Sequence, residues 1–219
     1  MFGPEVQRRA RSIAEHIVRP IAALHISPNV VSLLGLALNG VAALVIALGP
    51  LRWGGVWVLA AGVFDMFDGA VARVQQQSSL FGAFLDSTLD RYAEGALFLG
   101  VIIHALHVGS PGNVQTATIA VAYVAAILSL VVSYTRARAQ GLGMEAKVGV
   151  MERPERVVLL SIGLLIGNDL WLMWVLVAFV VLTGITGLQR IFHVWRTSVS
   201  ATGRVASKQP NTASSTHTN

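Results

Sequence analysis

The chain has 219 residues, of which 54% are hydrophobic and only 12% charged, and its mean hydropathy is positive. That balance excludes an ordinary soluble domain and reads as an integral membrane protein, while the absence of cysteine excludes disulfides and thiolate metal ligands. The formal net charge of +5 comes without any nucleic-acid motif, so it is read as membrane topology plus attraction to anionic lipid and phosphate, with no nucleic-acid partner.

In chain order, residues 1–28 come first as an interfacial amphipathic segment. Val6, Ala10, Ile13, Ile17, Ile21 and Leu24 recur every three or four residues, with Arg8, Arg9, Arg11, Glu15 and Arg19 largely on other faces. Pro20 is expected to kink this juxtamembrane helix. Apolar runs that approach the roughly 20 residues needed to cross a bilayer then fall at about 30–49, 53–73, 82–107, 115–137, 156–168 and 171–192. The expected fold class is therefore an all-α integral membrane protein with six transmembrane helices, the membrane domain covering residues 29–196. The fifth run is short, and Pro154 suits the first turn of a helix at its start. Residues 197–219, rich in Ser, Thr, Asn and Ala, read as a disordered tail.

Lys and Arg set the orientation. Arg8, Arg9, Arg11 and Arg19 precede the first run, Arg73 closes the second, Arg136, Arg138, Lys147, Arg153 and Arg156 surround the link between the fourth and fifth, and Arg190, Arg196, Arg204 and Lys208 follow the sixth. The opposite connections hold little beyond Arg52, so both termini are expected to face the cytoplasm. The basic N-terminus is not read as a cleaved secretory signal, because the apolar run after it is too long and five more follow. Trp53, Trp57, Trp171, Trp174 and Trp195 fall near the ends of runs, as interfacial anchors do.

Four carboxylates sit within this apolar chain, in Asp65-Met-Phe-Asp68-Gly69-Ala-Val-Ala72-Arg73 and Gly82-Ala-Phe-Leu-Asp86-Ser-Thr-Leu-Asp90. A charged group inside a membrane segment is costly without a partner, water or an ion. At about 100° per residue, Asp65 and Asp68 lie about 60° apart and Ala72 returns to within about 20° of Asp65. Asp86 and Asp90 share a face of the next helix, and Glu94 continues that stripe one turn deeper, where it orients the site or pairs with a nearby polar group. The polar turn from Val74 to Phe81 brings the two faces together. Four converging carboxylates need cations to stay ionised, and oxygen-only ligands favour Mg²⁺, Mn²⁺ or Ca²⁺; two Mg²⁺ ions suit transfer at phosphorus. Gly69 and Ala72 leave room for a phosphate or nucleotide beside the acids, and Gly82 permits close helix packing. The histidines, including His104, His107 and His193, make no convincing metal pair.

These segments resemble the CDP-alcohol phosphatidyltransferases, whose pattern D-x-x-D-G-x-x-A-R, eight or nine residues, G-x-x-x-D-x-x-x-D is complete from Asp65 to Asp90. The resemblance covers residues 1–196 and implies a homodimeric six-helix enzyme of the bacterial plasma membrane that displaces CMP from a CDP-linked lipid. It implies two metal ions, Mg²⁺ or Mn²⁺, held by Asp65, Asp68, Asp86 and Asp90, with Asp90 also the general base. Asn29 and Ser32 match the family's P-[ND]-x-x-[ST] segment and, with Gly69, Ala72 and Arg73, are expected to bind CDP-diacylglycerol.

Within the family the chain is most similar to the phosphatidylinositol phosphate synthases, on Ser133-Tyr-Thr-Arg136-Ala-Arg138-Ala, Glu152-Arg153-Pro154-Glu155-Arg156 and Gln189-Arg190. An acceptor that carries its own phosphate needs fixed cations, which Arg136, Arg138, Arg153, Arg156 and Arg190 are expected to supply. At Arg136 the family often has Lys, a departure that keeps the charge and changes the hydrogen-bond geometry. The expected activity is transfer of a phosphatidyl group from CDP-diacylglycerol to inositol phosphate. The alternatives are glycerol 3-phosphate as acceptor, giving phosphatidylglycerol phosphate, or a divalent-cation transporter.

Overall fold

The computed structural model describes residues 27–74 and 79–206, with the side chains of residues 28, 66–74 and 200–206 outside that description. Most of the amphipathic segment at 1–28 and residues 207–219 lie outside the described residues. Six α-helices and no strands make up the described part: α1 (Pro28–Leu48), α2 (Leu51–Val74), α3 (Leu80–His107), α4 (Asn113–Gly141), α5 (Arg153–Ile166) and α6 (Asp169–Ala206).

Local chemistry marks the helix ends. Pro28 and Pro154 occupy first turns, where the missing N–H has no intrahelical partner to lose. The Ser79 hydroxyl caps α3 by accepting from the Gly82 amide at 2.9 Å. Gly167 ends α5 in the left-handed region at φ +68°, which admits glycine readily. α6 continues through Ala206, past the expected start of a tail at 197, and the hydroxyls of Thr197 and Ser198 bond back to the carbonyls of His193 and Trp195.

Each helix packs mainly on two others, and the contacts close a ring in the order α1, α2, α5, α6, α4, α3 and back to α1. Ile46, Val58, Leu97, Val101, Leu164, Leu172 and Leu176 fill its middle, and Phe98 meets Phe179 edge to face at 5.3 Å between α3 and α6. Outward positions such as Leu44, Leu48, Trp53, Tyr123 and Leu188 are apolar and exposed, which suits a lipid surroundings. Among the described residues, three stretches are long and apolar enough to cross a membrane by length and composition: Asn29–Leu48, Asn113–Gly141 and Asp169–Val199. The side chains of α2 beyond Asp65 lie outside the described residues, so its full length does not enter that comparison. The apolar stretch of α3 carries Asp90, Arg91 and Glu94, and the 14 residues of α5 reach only about 21 Å.

Polar layers close both ends of the apolar middle. At one end, Asp169 in the first turn of α6 accepts from the Ser110 amide and hydroxyl at 2.7 and 2.8 Å, with His104 Nε2 3.3 Å away, which ties α3, the α3–α4 link and α6 together. At the other end lie Asp65, Asp90 and the start of α5.

α1 and α3 approach so closely that a methyl group on Gly100 would stand 2.5 Å from the Ala43 carbonyl oxygen, whereas one on Gly95 would meet nothing within 4 Å. Gly100→Ala is therefore expected to destabilise the protein by about 1–3 kcal/mol through overpacking. Gly95→Ala, which only improves helix propensity, should leave the melting temperature in detergent unchanged or raised. Equal melting temperatures for the two variants would contradict this packing.

Candidate active site at the carboxylate end of the ring

α2 and α3 bring Asp65 and Asp90 to one cation, the guanidinium of Arg153 at the start of α5. Arg153 Nη2 lies 2.6 Å from Asp65 Oδ2 and 2.8 Å from Asp90 Oδ1, so a single nitrogen bridges carboxylates from two helices. Asp86 is near enough for its charge to act on both acids. Arg91 stands 3.6 Å from the other Asp90 oxygen and donates to the Ser87 carbonyl. Asp68, Gly69, Ala72 and Arg73 continue α2 beyond Asp65, but their side chains lie outside the described residues. Among the described residues no group of three or more His, Asp or Glu converges closely enough to hold a metal ion by itself.

α1 forms the wall behind Asp65. A methyl group on Gly35 would stand 2.8 Å from Asp65 Oδ1, and the Asn39 amide donates to the Gly35 carbonyl at 2.9 Å. Neither residue stands out in the sequence; the only signal is a small residue and a polar residue spaced i, i+4 on an otherwise apolar helix. Asn29 lies by the start of α3, its Oδ1 3.4 Å from where a Gly82 methyl group would be, and Ser32 is half-buried one turn further along α1.

The five arginines of the sequence analysis separate into distinct environments. Arg156 is buried, with Nη2 3.0 Å from Glu94 Oε1 and 3.3 Å from Ser133 Oγ, while Nη1 donates to the Ser129 carbonyl at 3.1 Å. Glu94 thus pairs with a polar group, as its position one turn below Asp90 suggests, and the partner comes from α5. Arg190, also buried, donates from Nε to the Val148 carbonyl at 2.9 Å and from Nη1 to the Val132 carbonyl at 2.6 Å. Arg138 is exposed and shares a groove with Arg190, Tyr134 and Trp195. The charges of Arg136 and Arg156 act on Arg190, and the charge of Arg153 acts on Arg156.

The link before α5 is fixed to α6. Gly149 has φ +132°, and a methyl group there would collide with Thr186 Cγ2, so only glycine suits this turn. The Met151 amide donates to Thr186 Oγ1 at 3.0 Å, and with Arg190 on the Val148 carbonyl this sets where α5 begins and hence where Arg153 stands.

Residues 25–186 match the family model of the CDP-alcohol phosphatidyltransferases, and the chain belongs to that family. It is 35% identical to the phosphatidylinositol phosphate synthase of Mycobacteroides abscessus, over 80% of this chain and 80% of the relative. It is 33% identical to the archaetidylinositol phosphate synthase of Methanothermobacter thermautotrophicus, over 89% of this chain and 93% of the relative. The fold is similar to that of the Mycobacterium tuberculosis phosphatidylinositol phosphate synthase crystallised with CDP-DAG bound, with a TM-score of 0.73 and 30% identity over 84% of this chain and 94% of that one. A structure of the same M. tuberculosis protein with manganese and citrate gives a TM-score of 0.72, over 83% of this chain and 88% of that one.

The Glu94–Arg156 pair supports a stability prediction. Arg156→Met leaves Glu94 as an uncompensated buried charge and is expected to cost about 3–5 kcal/mol, whereas adding Glu94→Leu should restore most of the loss. A double-mutant cycle of melting temperatures in detergent checks it, and strictly additive losses would contradict the pairing.

Proposed function

We propose that the protein is a transferase, crossing the membrane six times with both termini in the cytoplasm, that moves the phosphatidyl group of CDP-diacylglycerol to inositol phosphate and releases CMP. The observation that carries this reading is the convergence of Asp65 and Asp90 from two helices on one cation, beside a group of arginines that includes Arg136, Arg156 and Arg190. Family membership and the relatives' activities support the reaction class, and a relative's structure with CDP-DAG bound supports the donor.

The carboxylates fit divalent ions. Their donor set is all oxygen, and Asp65 and Asp90 already share a positive group between them, the charge arrangement a bridging ion requires. Asp65, Asp68, Asp86 and Asp90 would hold two Mg²⁺ ions, with Mn²⁺ also accepted, as the manganese complex of the M. tuberculosis relative supports. When bound, the ions clamp the donor pyrophosphate and offset charge on the departing CMP.

On this reading Asn29, Ser32, Gly69, Ala72 and Arg73 receive the CDP-diacylglycerol head, whose acyl tails lie along the outer helix faces. Arg136, Arg138, Arg153, Arg156 and Arg190 supply the positive field for the acceptor's phosphate, with Arg156 and Arg190 held in place by their buried partners. A hydroxyl oxygen of inositol phosphate bonds to the phosphorus nearer diacylglycerol while the bond from that phosphorus to the CMP oxygen breaks. The hydroxyl proton passes to Asp90. The working form is a homodimer in a bacterial plasma membrane, its active site open to the cytoplasm.

CMP release by purified protein, with inositol 1-phosphate, free inositol or glycerol 3-phosphate as acceptor, tests the reading. Release is expected with inositol 1-phosphate, lost on chelation and restored by Mg²⁺ or Mn²⁺, and lowered by at least about 100-fold in Asp90→Asn. Preference for glycerol 3-phosphate would replace the acceptor assignment, and cation flux without CMP release would replace the enzyme with a transporter. Gly35→Ala, which pushes on the Asp65 carboxylate and on no other named group of the site, is expected to lower kcat at least about tenfold. Unchanged kcat in that variant would show that the α1 wall does not position Asp65.

A further inference from the structure

Arg153 holds Asp65 and Asp90, two of the carboxylates read above as ion ligands, through one nitrogen, and a doubly charged ion and a guanidinium compete for the same carboxylate oxygens. We propose that Arg153 is an exchangeable cation. It holds the carboxylates together in the absence of metal, is displaced by the arriving ions, and in its displaced position joins Arg136, Arg156 and Arg190 to receive the acceptor's phosphate. This deepens the function proposed above and rests on its reading of the carboxylates as ion ligands.

Three observations favour exchange over a fixed ion pair. The first is the form of the contact: both carboxylates meet the same nitrogen, Nη2, in place of the two-pronged arrangement that makes Arg–carboxylate pairs strong. The second is the contrast one turn along α5. Arg156 has three polar partners and a side chain 5% exposed, while that of Arg153 is 28% exposed, which gives it a path out. The third is the charge around that path. Arg136 and Arg156 already act on Arg190, and Arg91 and Arg153 on Arg156, with Glu94, Asp90 and Glu152 as the acids acting on them, so a further guanidinium is unfavourable there until an anion arrives. The acceptor's phosphate supplies that anion. Metal and acceptor are thereby linked: each should strengthen the other's binding by the same factor.

Mn²⁺ binding to the purified full-length protein, followed through the electron paramagnetic resonance signal of the free ion and without CDP-diacylglycerol, tests the proposal independently of turnover. Arg153→Met is expected to bind Mn²⁺ about tenfold or more tightly than the parent, the size of effect that loss of one charged competitor gives. Arg153→Lys should fall between them. Inositol 1-phosphate should tighten Mn²⁺ binding in the parent and lose that effect in Arg153→Met. Equal or weaker Mn²⁺ binding in a folded Arg153→Met protein would overturn the exchange, and coupling that persists in that variant would overturn the handover to the acceptor. If Arg153→Met does not fold, as its melting curve will show, Arg153→Lys carries the same test, with parent-like affinity overturning the proposal. No saturable Mn²⁺ binding in any of the proteins would overturn the ion-site reading itself, a result distinct from binding that ignores residue 153.

Discussion

Like charges held close in a low-dielectric interior must be neutralised, and the arrangement of the ring follows from that requirement. Asp65, Asp86 and Asp90 act on one another from α2 and α3, and Glu94 lies one turn deeper. The compensating charges come from α5, the helix opposite α3 in the ring. Arg153 and Arg156, spaced i, i+3, point two successive guanidinium groups at two successive levels of the acidic stripe: the first reaches Asp65 and Asp90, the second Glu94. Removing either level would leave buried charge without a partner, which costs far more than the pair contributes.

The rest of the fold holds those levels in register. The shortness of α5 places its N-terminus at the depth of the carboxylates, and the link before it is fixed to α6 through Thr186, Gly149 and Arg190. A tightly packed apolar middle around Phe98 and Phe179 separates this end from the His104–Asp169–Ser110 layer, so a shift at one end is resisted by close packing before it reaches the other. Gly35 lets the α1 backbone touch Asp65 itself, which limits where that carboxylate can point. The more exposed Arg153 is the group in this layer with room to move.

Much of this was legible in the sequence because it depends on short-range spacing. Asp65 and Asp68, and Asp86 and Asp90, share helix faces whatever the tertiary structure, and Pro154 and Gly167 bound α5 by local backbone chemistry. Hydropathy locates all six helices to within a few residues, apart from the end of α6, where Ser and Thr suggest a tail and the hydroxyls instead bond back along the helix. What spacing cannot give is the order of helices around the ring. The pairing of Arg153 with Asp65 spans 88 residues, and that of Arg156 with Ser133 spans 23; both depend on α5 lying across from α3 and α4. For the same reason five arginines read as one acceptor site separate into a carboxylate-bound residue, two buried and fixed ones, the exposed Arg138 at the groove, and Arg136, whose charge acts on Arg190. Gly35 left almost no trace, because a glycine in an apolar helix has many ordinary explanations.

The most direct measurement is a crystal structure of the protein grown with Mn²⁺, with anomalous data collected at the manganese edge. The account predicts anomalous peaks between α2 and α3 about 2 Å from oxygens of Asp65, Asp68, Asp86 and Asp90, with Arg153 no longer bridging Asp65 and Asp90. Arg153 still seated on both carboxylates, with manganese elsewhere or absent, would contradict it.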